Sequence, residues 1–337
     1  MYKTTHERGN GEMSYSNEFN NLIKKVNEYS LDDVEKNSQL YFVKKIFTKD
    51  KDNNKKRSWL AMNVVATNII RKIHKIVDTA VQDSVIYKSN GEDVKKSVKK
   101  YTPTSNNNNE EILVTDYNYL NDQPEEFIKK LLHKESEKML TEEMQFFTYS
   151  LNIDNQTAYF IGKVEKLNAI KNGLIAKFTE DGLKLGKNDQ FGIKDHVGVI
   201  LYDKNIYILK KYIFEVLFDL EEKFLKETKK HINNISNSKH FIGLDVYLES
   251  IKNNRNITRK ISKAVEKFNE NGIDYSNINS DNFKSKIDII NQHGEDFKLN
   301  KNNQLEIEKD TDIDSITRLI TDDYYFTILT DSFGYNE

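Results

Sequence analysis

Cysteine is absent from the 337 residues. Its absence removes disulfide frameworks, cysteine-based zinc sites and thiol nucleophiles together, and it fits a reducing compartment such as the cytoplasm. Proline occurs only at Pro103 and Pro124, while Asn, Lys and Ile are heavily used. That bias reads as AT-rich coding rather than structural design, so a Lys- or Asn-rich loop is weak evidence for a binding surface. No run of about 18 apolar residues is present, which argues against a membrane-spanning helix. The opening Met1 to Arg8 lacks the apolar stretch of a signal peptide, so a role at a membrane requires a partner. An excess of one charge is missing too: 51 Lys and Arg face 53 Asp and Glu, a formal net charge of -2. Attraction to nucleic acid must therefore come from local asymmetry. What is present is 37% hydrophobic and 31% charged residues, enough for one large or two modest cores.

The asymmetry is there. Residues 1–101 carry 20 basic against 13 acidic side chains, and residues 102–160 carry 4 against 11. Residues 161–269 carry 21 against 14, and residues 270–337 carry 6 against 15. Two basic stretches alternate with two acidic ones, which either neutralise each other or polarise a surface.

Residues 1–17 are polar and are expected to be mobile. Phe19, Leu22, Ile23 and Val26 then have helical spacing. The aromatic and β-branched runs Gln39–Phe47 and Ser58–Val65 predict a two-stranded hairpin, with the charged connector Thr48–Arg57 in solvent. Ile69, Ile70, Ile73, Ile76, Val77, Ala80 and Val81 predict a helix capped by Thr67 or Asn68. Residues 88–111 read as an exposed excursion, with Lys95, Lys96, Lys99 and Lys100 on two adjoining rows of a helix. A strand at 112–114 and a helix from Pro124 to about Lys138 close this half.

From Phe146 the pattern turns to strands: 146–153 and 157–164 around Asn155-Gln156, then 174–178, 182–185, 196–202 and 206–209, the last two joined by Asp203-Lys204-Asn205. A long helix is expected from Ile213 toward Ile232, more helix over 241–268, a loop-rich tail, and a final helix over 313–321. These patterns predict an α+β protein. It has an N-terminal hairpin-plus-helix region (18–145) and a C-terminal β-rich domain followed by helices (146–337).

No phosphate-binding Gly-rich loop, His-Glu-x-x-His, Gly-x-Ser-x-Gly or calcium loop occurs. The seven histidines, at 6, 74, 133, 196, 231, 240 and 293, show no ligand spacing. A metal-dependent nuclease would need carboxylates converging on Mg²⁺; Asp181, Asp189, Asp195, Asp203 and Glu215 are candidates, without a nuclease signature. Asp310, Asp312 and Asp314 alternate but lack the rest of a calcium loop, and capping the helix near Ile313 is the better reading. The basic segments are the stronger lead, because Lys and Arg neutralise phosphates whatever the base sequence. They are Lys55, Lys56 and Arg57 at the hairpin connector, Lys95 and Lys96, and the face made by Lys252, Arg255, Arg259, Lys260 and Lys263 at helical spacing.

The block 196–220, with Val197-Gly198-Val199-Ile200-Leu201-Tyr202-Asp203-Lys204-Asn205-Ile206-Tyr207-Ile208-Leu209-Lys210-Lys211 ahead of Phe214-Glu215, resembles the KwaB-like proteins of the Kiwa antiphage system. A second similar stretch runs from Ile316 through Thr321-Asp322-Asp323-Tyr324-Tyr325 and Leu329-Thr330 to Tyr335. The resemblance spans roughly residues 146–335. It implies a cytoplasmic, dimeric protein that binds double-stranded DNA without strong sequence preference and works with the small membrane protein KwaA, which would recruit it to the inner face of the membrane. It implies no binding residues. The basic candidates Lys55, Lys56, Arg57, Lys95, Lys96, Lys252, Arg255, Arg259 and Lys260 come from charge and spacing alone, and no catalytic residue, metal or cofactor is expected. Two rivals stay open: a metal-dependent nuclease assembled only in three dimensions, and an interaction module that docks through its acidic block 270–337.

Overall fold

The computed structural model describes residues 6–49, 55–66, 69–105, 111–133, 139–140, 143–165, 173–179, 182–185, 191–194, 197–271, 280–308, 311–326 and 333–335. The chain divides into two compact units. One comprises Met1–Tyr101 with Asn107–Phe218, the other Thr102–Asn106 with Asp219–Glu337.

The first unit runs in order through α1 (His6–Asn27), α2 (Leu31–Asn37), β1 (Ser38–Lys49), β2 (Lys55–Val64), α3 (Ile70–Ser84), β3 (Ile86–Ser89), β4 (Glu92–Lys95), β5 (Ser97–Lys100) and β6 (Glu111–Asp116). It continues with α4 (Gln123–Leu131), β7 (Phe146–Ile153), β8 (Gln156–Glu165), β9 (Gly173–Thr179), β10 (Gly182–Leu185), β11 (Phe191–Lys194), β12 (Val199–Tyr202), β13 (Asn205–Ile208) and α5 (Lys211–Phe218). The mixed α+β class expected from sequence is what forms. The hairpin β1–β2 is antiparallel with Lys45 opposite Trp59, and β1 also pairs with β7. β7 pairs with β8, and from there the ladder continues through β12, β13 and β6 to β5, while the far end of β8 carries β11, β9 and β10. Only β5 and β6 run parallel within this sheet, among the described pairings.

This pairing crosses residue 145/146, where the composition shifts, so the strands on both sides of that point share one sheet, and the two compact units join along the chain at Phe218/Asp219. Nearly every residue of β7 is buried, as a strand covered on both faces requires. Phe19, Leu22 and Val26 of α1 and Ile73, Val77 and Val81 of α3 pack with Leu40, Phe42, Phe147, Tyr149 and Phe160. A second aromatic group joins Trp59, Phe127 and Phe218 edge to face, with centroids 5.5–6.2 Å apart.

Several local expectations are revised. α1 begins inside the stretch expected to be mobile. β1 and β2 extend into the charged connector, because the cross-strand ladder is made by backbone groups whatever the side-chain charge. The N-cap of α3 is Ile69, whose backbone N–H and that of Ile70 bond to the Ala66 carbonyl; Thr67 and Asn68 lie outside the described residues. Residues 86–100 form three short strands rather than a loop or helix. The turn after β7 is Asp154-Asn155, both left-handed, one residue earlier than expected.

The second unit holds α6 (Leu220–Ser236), β14 (Phe241–Ile242), α7 (Leu244–Ile251), α8 (Arg255–Asn271), α9 (Ser280–Gln292), β15 (Leu305–Glu306), α10 (Ile313–Ile320), β16 (Tyr324–Phe326) and β17 (Phe333–Tyr335). The single helix expected from Ile213 to Ile232 is two, because Asp219 between them adopts φ 55°. α6 and α8 cross at the small buried side chains Thr228, Thr258 and Ser262; Ser262 Oγ donates to the Phe224 carbonyl at 3.3 Å. Ile232, Tyr247, Ile251, Ile261, Ile287 and Ile316 form the core, and the Tyr247 and Thr317 hydroxyls bond at 2.7 Å.

Candidate nucleic-acid interface

The basic residues picked out by spacing fall into different environments. Lys55 and Lys56 open β2 opposite Lys49 and Thr48; their side chains lie outside the described residues. Arg57 is half-buried, and its Nη1 donates to the Phe218 carbonyl at 2.7 Å and to Gln123 Oε1 at 3.3 Å. A guanidinium on the last carbonyl of α5 is a helix C-terminal cap, a structural use of the charge. Lys95 ends β4 opposite Ile86 and is exposed. Lys96 follows it, half-buried, with its backbone N–H on the Val85 carbonyl at 2.8 Å. Because the segment is extended, Lys95, Lys96, Lys99 and Lys100 do not form the helical rows their spacing suggested, and Lys99 is bound to Glu111.

In the second unit Lys252 caps the C-terminus of α7, and Arg255, Arg259 and Lys260 belong to α8. Lys252 is bound to Glu249, Arg255 lies 3.1 Å from Glu221, and Lys260 lies 3.5 Å from Asp323. Arg259 and Lys260 are half-buried. Continuing every fourth residue from Arg255 and Arg259 gives Lys263 and Lys267, both exposed and without an acidic partner among the described residues. This i, i+4 ridge extends about 18 Å along the helix. Exposed ion pairs contribute about 0–1 kcal/mol, so the pairing of Arg255 presents a small barrier to a phosphate that competes for it.

Of the carboxylates considered for metal binding, the two among the described residues serve local roles. Asp203 sits in the β12–β13 turn; Asp181, Asp189 and Asp195 lie outside the described residues. Glu215 is buried, accepts a hydrogen bond from the Tyr101 hydroxyl at 3.0 Å and lies 3.6 Å from Lys211 Nζ. Among the described residues no group of three or more His, Asp or Glu is placed to hold a metal ion.

Sequence reasoning missed a cavity of about 390 Å³ in the second unit, lined by Glu295, Asp296, Lys298, Glu306, Glu308 and Asp312 among others. Glu295 organises one wall. It accepts hydrogen bonds from Ser315 Oγ at 2.5 Å, the Tyr324 hydroxyl at 2.8 Å and Arg318 Nη2 at 3.1 Å. Arg318 also stacks over the Tyr335 ring at 4.4 Å. Burial pushes the Tyr324 hydroxyl up to about 12, with Glu295 adding to the rise. Asp312 caps α10 as expected, accepting from the backbone of Asp314 and Ser315, and its bond from the Ser315 hydroxyl holds its carboxyl below the usual range. Tyr324 and Tyr335, both in the stretch that carries the second resemblance, thus meet at Arg318 together with Glu295, a convergence that periodicity does not reveal.

A family model described as Kiwa protein KwaB-like matches residues 141–330. The chain belongs to the KwaB-like family. The matched range takes in β7 to β13, α5 and nearly all of the second unit. No curated protein and no solved structure matches the chain. Membership in the KwaB-like family carries a role in Kiwa antiphage defence, and no helix among the described residues is long and apolar enough to cross a membrane.

Proposed function

We propose that this KwaB-like protein acts in Kiwa defence by capturing double-stranded DNA without base preference, as a homodimer, in concert with a KwaA-like membrane protein that recruits it from the cytoplasm to the inner face of the membrane. The observation that carries the DNA reading is the α8 ridge Arg255, Arg259, Lys263 and Lys267, together with Lys252 and Lys260 beside it. Four cations at one-turn intervals suit a row of backbone phosphates, which fixes position but reads no sequence. In this reading Lys55, Lys56, Lys95 and Lys96 of the first unit add phosphate contacts, whereas Arg57 is committed to α5. Selectivity for foreign DNA comes from location or DNA ends.

The test is a salt titration of the whole protein against labelled duplex DNA by anisotropy, with Mg²⁺ or EDTA and a denaturing gel of each sample. Binding that falls steeply with salt, with the DNA intact, supports capture. Mg²⁺-dependent cleavage abolished by EDTA would replace it with the nuclease. Co-purification of a membrane partner by protein with no DNA affinity would replace it with the interaction module.

A further inference from the structure

The ion pairs that draw on the cationic face of α8 are not equivalent. Glu249 and Glu221, which meet Lys252 and Arg255, are exposed, with relative side-chain exposures of 71% and 42%. Asp323, which lies 3.5 Å from Lys260 Nζ, is 14% exposed. Water and salt screen the first two carboxylates and compete for their partners, whereas a carboxylate drawn out of water is screened much less and keeps its hold on a cation.

Asp323 is also held in place. It follows α10, where Asp322 turns the chain with a left-handed φ of 54°. The Asp323 N–H donates to the Arg318 carbonyl at 2.9 Å, and the buried Thr321 hydroxyl lies 2.6 Å from Asp323 Oδ2. With the carboxylate already positioned by its own turn, the contact with Lys260 has mainly the lysine left to order.

Lys260 is the side chain that this contact withholds from the surface of α8. It stands at i, with Lys263 at i+3 and Lys267 at i+7, so the three share one face of the helix over about 10 Å. Lys263 and Lys267 are exposed, and Lys260 is half-buried beside the turn. A backbone phosphodiester carries one negative charge, as the Asp323 carboxylate does. A strand laid along Lys267 and Lys263 therefore meets, at Lys260, a position already taken by an anion of the same charge.

We infer that the turn Thr321-Asp322-Asp323 makes an autoinhibitory contact on α8, in which the Asp323 carboxylate takes the place of a DNA phosphate at Lys260. The inference rests on the DNA-capture reading and adds a brake to it. Duplex DNA engages Arg255, Lys263 and Lys267 first, and full engagement of α8 requires Asp323 to give up Lys260. The brake acts on every duplex alike, since neither side chain reads a base.

The experiment compares the full chain with its Asp323→Asn and Asp322→Asn variants by salt titration against labelled duplex DNA. Both substitutions remove one negative charge from the same turn, and it is Asp323 that is paired with Lys260. Asn at 323 keeps an acceptor for the Thr321 hydroxyl, and Asp323→Ser takes its place if that variant misfolds. Asp323→Asn is expected to bind duplex about threefold or more tighter than Asp322→Asn, with a salt slope steeper by about 0.9, the share of one phosphate. The gain is expected to vanish when Lys260→Gln is added. Equal affinity and slope in the two single variants, or a gain that survives Lys260→Gln, overturns the inference and leaves DNA capture standing. Absence of duplex binding by every chain removes DNA capture and the inference with it.

Discussion

His74 of α3 and His231 of α6 are both buried, with relative exposures of 4% and 6%. His74 Nδ1 lies 3.0 Å from the Tyr149 hydroxyl, and His231 Nε2 donates to the Ile320 carbonyl at 3.1 Å. Burial pushes both imidazole pKa values below their ordinary value, because the interior disfavours the imidazolium. In the unfolded chain both protonate near pH 6.5. The folded state therefore binds fewer protons than the unfolded one below that pH, and stability present above about pH 6.5 is lost as the pH falls toward the folded pKa values. Glu143 and Asp312, whose carboxyls sit below their usual range, withdraw stability only at more acidic pH. We expect the unfolding midpoint to decline from about pH 6.5 to 5, with a shallower decline in His74→Gln or His231→Gln than in the native chain. Equal slopes in all three would show that the histidines are protonated in the fold. The seven histidines showed no ligand spacing in sequence, and the burial that defines these two belongs to the packing.

At the scale of the element, the strands of 146–209 other than β11, and the helix α3, were legible because alternation and i, i+3, i+4 spacing follow directly from backbone geometry. The turn Asp203-Lys204 shows the same locality. Both residues are left-handed, with φ of 49° and 61°, as a two-residue hairpin turn requires. Lys204→Gly removes the steric cost of that conformation and is expected to stabilise the protein by up to about 1 kcal/mol in urea unfolding. Gly198 teaches the converse. A Cβ there would stand 2.8 Å from Ile213 Cβ, so Gly198→Ala is expected to cost about 1–3 kcal/mol by forcing α5 off β12; an unchanged midpoint would mean that α5 moves freely. The strands β3 to β5 were missed because short, lysine-rich strands carry little apolar alternation, and only Val98 is buried within β5. α9 was read as loop although Phe283, Ile287 and Ile290 sit at helical spacing and are buried together.

At the scale of the molecule, alternation of basic and acidic blocks along the chain does not translate into separate charged bodies. The first unit contains the basic block 1–101, most of the acidic block 102–160 and part of the next. Within the second unit, acids of α6 and of the Asp323 turn neutralise part of the cationic face of α8. The exposed members of the ridge should then dominate any attraction to DNA. Reversing Arg255, Lys263 and Lys267 to Glu is expected to weaken duplex binding and to flatten the slope of log affinity against log salt by about 1 for each phosphate no longer neutralised. An unchanged slope with a normal unfolding midpoint would take α8 out of the interface.

The sequence by itself determined most strands of 146–209, the absence of thiol chemistry and the resemblance to KwaB-like proteins, since alternation, turn residues and motif order are local properties of the chain. Only the tertiary structure decided which lysines have a counter-charge. Arg255 meets Glu221, Lys260 meets Asp323 and Arg57 meets the Phe218 carbonyl. Charge interaction depends on distance through space and on burial, and both are fixed by strand register and helix packing rather than by position along the chain.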